Sequence, residues 1–386
     1  MAERTDFYRL DLLLSESERM LRDTVKTFVA REWLPHAAEH FEKGAFPLDI
    51  VPRLGELGLL GMKYSDYGCA GASNVDYGLA CQELEAGDSG LRSFVSVQTS
   101  LVIHPIHTYG SEEQKRLFLP KLARGEMIGC FGLTEPDHGS DPGGMETKAV
   151  RDGGEYVLNG AKMWITNGSI ADLALVWARL DEGIGGFLVE RGARGFSAPE
   201  VPRKLSLRAS VTSELVLDEV RVPERHRLPG AHTLAAPLGC LNEARYGIAW
   251  GAMGAACACY EAALDYTRER SQFGRPLASF QLVQEQLVGM LSEITKGQLL
   301  NLRLGRMKDA GLAHHSHVSL AKRANVRAAL DIARGARALL GASGITLDYP
   351  PMRHAANLES VLTYEGTEEI HTLIVGREIT GLDAFR

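Results

Sequence analysis

The sequence predicts an α+β chain of three domains: helices first, a small β domain in the middle, and a four-helix-bundle type of domain at the end. Two observations carry this. Helical periodicity fills the first 120 or so residues and returns from Gly239, while between them short β-prone runs are separated by Gly, Asn and Pro. The 386 residues also exceed what one core holds. The expected domains are 1–124, 125–230 and 231–386.

In the first domain, Ser15 and Glu18 have capping-box spacing. Leu21, Val25, Phe28 and Val29 then follow on one helical face, which ends near Pro35. Further helical pattern covers Ile50 to Leu60 and Tyr77 to Glu85. In the middle, Glu155 to Leu158 and Lys162 to Thr166 flank Asn159-Gly160, which predicts a hairpin with a two-residue turn. Leu173 to Trp177, Gly186 to Val189, Leu205 to Val211 and Glu214 to Val222 are expected as further strands. In the last domain, Tyr246 to Tyr260 is rich in Gly, Ala and Cys and should pack closely on its neighbours. Leu282 to Leu302 and Val318 to Leu340 are long and amphipathic, and Gly341 follows as a C-cap.

Composition excludes several classes. A net charge of −7 without a basic tract makes nucleic acid or an anionic membrane an improbable partner, and no apolar run has the length of a span. Met1 to Arg9 has neither a signal nor a transit pattern. A prokaryotic cytoplasmic protein is expected, or a mitochondrial matrix protein whose presequence is gone. The six cysteines have no framework spacing and are expected reduced and mostly buried. His314, His315 and His317 lack nearby acids or cysteines at ligand spacing, so a polar loop is the expectation and a metal site is not.

Two stretches invite chemistry. Phe131 to Asp141 offers hydroxyls, glycines and backbone donors between ordered regions, as a phosphate or a polar heterocycle edge requires. No Rossmann or P-loop glycine pattern accompanies it. Thr363 to His371 places Glu365 at a helix-to-helix corner, with Gly366 permitting the turn and Thr367 as N-cap. Spacing alone makes Glu365 a solvated loop acid.

The Phe131–Asp141 loop, Trp164-Ile165-Thr166, Arg270 to Gly274, Gln281, Gly341 to Gly344 and Tyr364 to Thr367 together resemble the acyl-CoA dehydrogenase family from end to end. Cys130 to Ser140, Leu205 to Ser210, Gly239 to Trp250 and Asn357 to Gly366 are most similar to its glutaryl-CoA dehydrogenase branch. The resemblance implies the same three-domain fold, an FAD cofactor and a homotetramer. Thr134 and Thr166 would bond the flavin ring, Trp164 would pack beside it, and Ser140 would lie near phosphate and substrate. Phe131, Leu133, Gly139, Ile165, Thr367 and Phe385 are assigned to the cofactor by the same resemblance. Arg270, Phe273, Gln281, Ala338, Leu339, Gly341 and Ala342 would meet FAD held mainly by a neighbouring subunit. Many relatives have Gln and Gly where this chain has Ala338 and Ala342, which puts side-chain contacts of that turn in question. A surface ion pair is the alternative for Arg270.

The implied reaction removes the α-proton of an acyl-CoA to Glu365 while flavin takes a β-hydride. Desolvation would raise Glu365 towards the range of a general base. The Glu365–Gly366 backbone would help hold the thioester carbonyl, and Arg245 matches a family arginine near base and CoA. Capping or an ion pair within its own helix is the alternative for Arg245. Arg92 stands at a helix start short of charge, where a guanidinium suits a substrate carboxylate; pairing with Glu85 or Asp88 is the alternative. By resemblance Arg92 anchors the distal carboxylate of glutaryl-CoA, with Ser93, Ser96 and Glu85 nearby. Tyr364 and Glu85 match residues of the decarboxylating type, which releases CO2 and leaves crotonyl-CoA. Electrons would pass to an electron-transfer flavoprotein. The alternatives are another chain specificity, an oxidase, a dehydrogenase that does not decarboxylate, and a non-catalytic flavin or acyl-CoA binding protein.

Overall fold

The helices of the first domain begin where short polar side chains can satisfy the free N–H groups. The computed structural model describes residues 4–385. Ser15 and Glu18 form the expected capping box on α1 (Glu16–Phe28). Ser73 with Asp76 does the same for α4 (Asn74–Gly87), and Ser111 with Gln114 for α7 (Glu112–Ala123). Between them run α2 (Ala37–Lys43), α3 (Ile50–Glu56), α5 (Ser89–Ser96) and α6 (His104–Tyr109). A π-helical stretch, Val97–Ile103, joins α5 to α6.

The middle sheet consists of β1 (Gly129–Gly132), β2 (Lys148–Asp152), β3 (Glu155–Thr166), β4 (Leu173–Leu180), β5 (Gly183–Glu190), β6 (Phe196–Ser197) and β7 (Thr212–Pro223). Its order is β1-β4-β2-β3-β7-β6, with β5 on β4. Two sequence expectations fail here. Asn159-Gly160 is not a turn: β3 runs straight through it, and Gly153-Gly154 turns the chain between paired Asp152 and Glu155. Gly160, at φ 146°, lies in a bulge where a Cβ would fall 2.5 Å from the Thr147 hydroxyl. Asn159 accepts the Glu219 amide at 2.8 Å, so this pair of residues serves a bend within a long strand. Leu205 to Val211 forms no strand, because Arg203 and Leu207 adopt left-handed φ of 58° and 48°. Its polar groups bond across domains instead, Leu207 N–H to Asn357 and Arg208 to the Phe41 carbonyl.

The last domain holds α8 (Ala235–Glu269), a small hairpin β8 (Ser271–Gln272) and β9 (Arg275–Pro276), α9 (Gln281–Asp309), α10 (His315–Leu339), α11 (Pro350–Thr363) and α12 (Glu368–Thr380). Helix α8 binds the domains together by letting α4 approach along its glycines. A Cβ on Gly254 would sit 1.8 Å from the Gln82 carbonyl oxygen, and one on Gly251 would sit 2.0 Å from Glu85 Oε2. At the start of α10 the His317 ring nitrogen Nδ1 accepts the His314 amide at 2.9 Å. None of the six cysteines is in a disulfide, and Cys69 and Cys257 are only half-buried. Among the described residues no helix is long and apolar enough to cross a membrane, and no group of side chains is arranged to hold a metal ion.

Candidate active site

A cavity of about 1470 Å³ opens between the middle sheet and the corner that joins α11 to α12. Its sheet side is rigid because buried charge pins the loop after β1. Lys162, fully buried on β3, donates to the Leu133 carbonyl at 3.1 Å and to Glu135 at 2.8 Å. Glu135 also accepts the Thr147 amide at 2.9 Å, and Met163 N–H reaches the Thr134 carbonyl at 2.8 Å. Burial opposes the Glu135 charge, but the Glu146 amide, Lys162 and Thr147 overcome it and hold the carboxyl at about 2. Burial likewise draws Lys162 down to about 8.

Phe131, Leu133, Thr134, Gly139 and Ser140 line this wall, with Trp164, Ile165 and Thr166 from β3. Trp164 lies in the second β3–β7 bulge at φ 63° and is 59% exposed. An aromatic residue held left-handed and open to solvent costs about 1–3 kcal/mol, a cost usually found where function demands it. Thr134 and Thr166 form no hydrogen bond through their hydroxyls within the described residues. An indole face flanked by free hydroxyls suits a flat ring with polar edges, so the residues fit a flavin.

The opposite wall is the corner itself, where Tyr364, Glu365, Gly366, Thr367 and Arg245 line the same cavity as Phe385. Thr367 caps α12 by accepting the Ile370 amide, as its sequence position predicts. Gly366 has φ 92° and Glu365 itself φ 53°, so two consecutive left-handed residues make the turn. Arg245 does not cap its own helix; its Nε donates to the Glu365 carbonyl at 2.7 Å. Glu365 Oε2 is buried without a hydrogen-bond partner. Burial raises the Glu365 pKa, while Lys322, Arg92 and Arg245 pull it back. An unpartnered carboxylate aimed into a cavity can accept a proton from whatever occupies it.

Behind Tyr364 lies a fully buried charge cluster. Arg92 Nε donates to Glu85 Oε2 at 2.6 Å, Ser89 donates to the other oxygen at 2.8 Å, and an Arg92 Nη2–H bonds the Tyr364 hydroxyl. Ser93 meets the same hydroxyl at 3.2 Å. Pairing with Glu85 leaves Arg92 Nη1 buried and unpartnered, as is Ser96 Oγ. Asp88 is taken by Arg353 and by Asn357 at 3.0 Å. Glu85, Arg92, Ser93 and Ser96 thus stand behind the cavity wall, and Tyr364 is the side chain that meets both.

Arg270, Phe273, Gln281, Ala338, Leu339, Gly341 and Ala342 do not line the cavity. Phe273 is 94% exposed at the tip of the β8–β9 hairpin, and Arg270 makes no ion pair among the described residues. Sequence reasoning missed Lys322 and His371, both buried against the corner. Lys322 falls at i+4 from Val318 and i−4 from Val326, within the apolar stripe of α10, and a lysine in such a stripe was the available signal.

Comparison with known proteins bears on this geometry. Residues 15–126, 130–220 and 234–380 match the N-terminal, middle and C-terminal domain models of acyl-CoA dehydrogenase. A short-chain specific acyl-CoA dehydrogenase of Clostridium acetobutylicum is 36% identical over 96% of this chain and all of its own length. A solved glutaryl-CoA dehydrogenase from Mycobacterium smegmatis is 60% identical, with a TM-score of 0.97 over 98% of both chains. Another from that organism, in complex with FADH2, is 55% identical with a TM-score of 0.99 over both whole chains. With all three domain models matched in order along one chain, the assignment is direct: the chain belongs to the acyl-CoA dehydrogenase family and uses FAD.

Proposed function

We propose that this oxidoreductase acts on glutaryl-CoA, oxidising it and releasing CO2 to leave crotonyl-CoA. The observation that carries the reading is Arg92: a fully buried guanidinium with one nitrogen unpartnered, behind the tyrosine next to Glu365. A buried donor without a partner costs about 1–3 kcal/mol, and a carboxylate at the far end of the acyl chain would supply the partner. The similarity to two solved proteins named as glutaryl-CoA dehydrogenases supports the same substrate.

Glu365 accepts the α-proton, its basicity set by burial against three nearby cations. The Glu365–Gly366 backbone holds the thioester carbonyl, whose charge grows as the proton leaves. Bound FAD supplies the acceptor for the β-hydride. Oxidation places a double bond where loss of the distal carboxylate as CO2 leaves stabilised charge, and the protonated Glu365 returns its proton to the carbon chain. Arg92, Ser93, Ser96 and Tyr364 hold that carboxylate until it departs, and Glu85 holds Arg92. Thr134, Ser140, Trp164 and Thr166 hold the flavin of the same chain. Arg270, Phe273, Gln281 and the Ala338–Ala342 end of α10 meet the FAD of a neighbouring subunit in a homotetramer, and an electron-transfer flavoprotein takes the electrons.

A second reading, a short-chain acyl-CoA dehydrogenase, has support in the name of the Clostridium relative. Anaerobic titration of the FAD-loaded enzyme separates the two. Glutaryl-CoA should bleach the flavin band and release CO2, and butyryl-CoA should bleach it far less. Equal bleaching by both substrates removes the carboxylate reading, and glutaconyl-CoA as the end product without CO2 removes decarboxylation. Glu365→Gln should bind FAD and acyl-CoA yet lose nearly all flavin reduction; substantial turnover would assign the base elsewhere.

A further inference from the structure

Lys322 lies two turns into α10, 1% exposed, among residues such as Val318, Ala321 and Val326 that make the helix's buried face. An ammonium costs several kcal/mol to bury, so its partners explain why it is there. All of them are backbone carbonyls of one turn. Nζ donates to the Tyr364 carbonyl, to that of Gly366 at 2.7 Å, and at 3.4 Å to that of Glu365. These carbonyls follow the C-terminal end of α11, where the helix dipole is negative. The ammonium also stands 5.7 Å from the centroid of the Tyr364 ring.

Glu365 occupies a left-handed conformation that most residues avoid, with one carboxylate oxygen, Oε2, buried and without a hydrogen-bond partner among the described residues. Both features work against it: the backbone favours another turn, and burial favours the neutral acid, which cannot accept a proton. Arg245 on α8 contributes one bond to the Glu365 carbonyl, and Arg92 on α5 is already committed to Glu85 and Tyr364. His371 on α12 packs under Gly366, and burial keeps its imidazole neutral, down at about 2. Lys322 alone of these cations reaches three consecutive carbonyls.

We infer that Lys322 is a positioning residue for the reaction: its ammonium holds the Tyr364–Gly366 corner in the turn that aims Glu365, and its charge keeps Glu365 a carboxylate. The inference rests on the reading of Glu365 as the base. Burial draws Lys322 down to about 7 against the attraction of Glu365, so the charges of the two groups depend on each other.

The test is stopped-flow flavin reduction by acyl-CoA, followed against pH in FAD-loaded wild type, Lys322→Met and Lys322→Gln. Gln keeps a donor for the carbonyls and removes only the charge. Loss of the cation should raise the Glu365 pKa, so the low-pH limb of the rate should move up by about 1–3 pH units in both variants. Substrate affinity should change far less than the rate at neutral pH. A wild-type limb, with the rate lowered by one factor at every pH, would mean that Lys322 only supports packing and would overturn the inference. If the Met variant does not retain FAD, the Gln variant decides alone. Glu365→Gln serves as the control: turnover there defeats the base assignment itself, whatever the limb of the Lys322 variants does.

Discussion

Arg92 offers the sharpest test of substrate choice, provided that its two roles are separated. Replacing it alone would remove the partner of Glu85, which is 0% exposed, and breaking such a buried pair costs about 3–5 kcal/mol of stability. Arg92→Gln with Glu85→Gln removes both charges together and leaves neutral amides of similar shape, so most of that penalty should vanish. What remains is the missing donor for a substrate carboxylate. A hydrogen bond to a charged group is worth about 1.5–3 kcal/mol, which corresponds to about 10- to 150-fold in kcat/KM. The assay is steady-state reduction of an artificial electron acceptor with glutaryl-CoA and with butyryl-CoA. Glutaryl-CoA should lose that factor, while butyryl-CoA, which has no carboxylate to place, should lose little or gain. An equal loss for both substrates in a variant that retains FAD would refute carboxylate recognition by Arg92. The Tyr364 hydroxyl also loses its Arg92 partner, so Tyr364→Phe in the wild-type background calibrates that share.

Two further outcomes follow from the β domain. Gly160→Ala meets both a φ of 146° and the Thr147 hydroxyl at 2.5 Å, and should lower stability by about 1–3 kcal/mol, read as a drop in thermal midpoint; an unchanged midpoint would mean that the bulge has room to relax. Glu135, held at about 2 in the fold against an ordinary value of 4.5, contributes stability that is present above about 4.5 and is lost as pH falls towards 2. The thermal midpoint of wild type should therefore exceed that of Glu135→Gln at pH 6 and approach it as pH falls to 3, and a constant gap would remove the Glu135 carboxylate as the cause.

The three-domain layout was legible because long periodic segments dominate it. Ser15 with Glu18, the small residues of α8, and Thr367 as a cap all state local chemistry that the fold keeps. Asn159-Gly160 misled because Asn-Gly signals a left-handed backbone without saying whether the strand turns or bulges there. That choice belongs to Thr147 and Glu219, distant in sequence. Leu205 to Val211 reads as β-prone, yet its conformation is set by partners on α2 and α11. In the site, resemblance supplied Glu365 and Arg92, and spacing offered Glu85 as a partner for Arg92, but it could not show that the pair still leaves one guanidinium nitrogen without a partner among the described residues. Lys322 was visible only as a charge out of pattern. Its meaning needs the α11–α12 corner, more than forty residues away, folded against it.

Glu365 stands where glycine would be the comfortable residue, at φ 53°, with a buried oxygen that no group among the described residues satisfies. A non-glycine side chain there costs roughly 1–2 kcal/mol in backbone energy alone. With Glu365 as the proposed base, stability and catalysis select opposite residues at this position. Laboratory evolution of the chain for heat resistance alone should enrich glycine or asparagine at 365 and yield hardier, inactive proteins, so any such programme has to screen for turnover in every round.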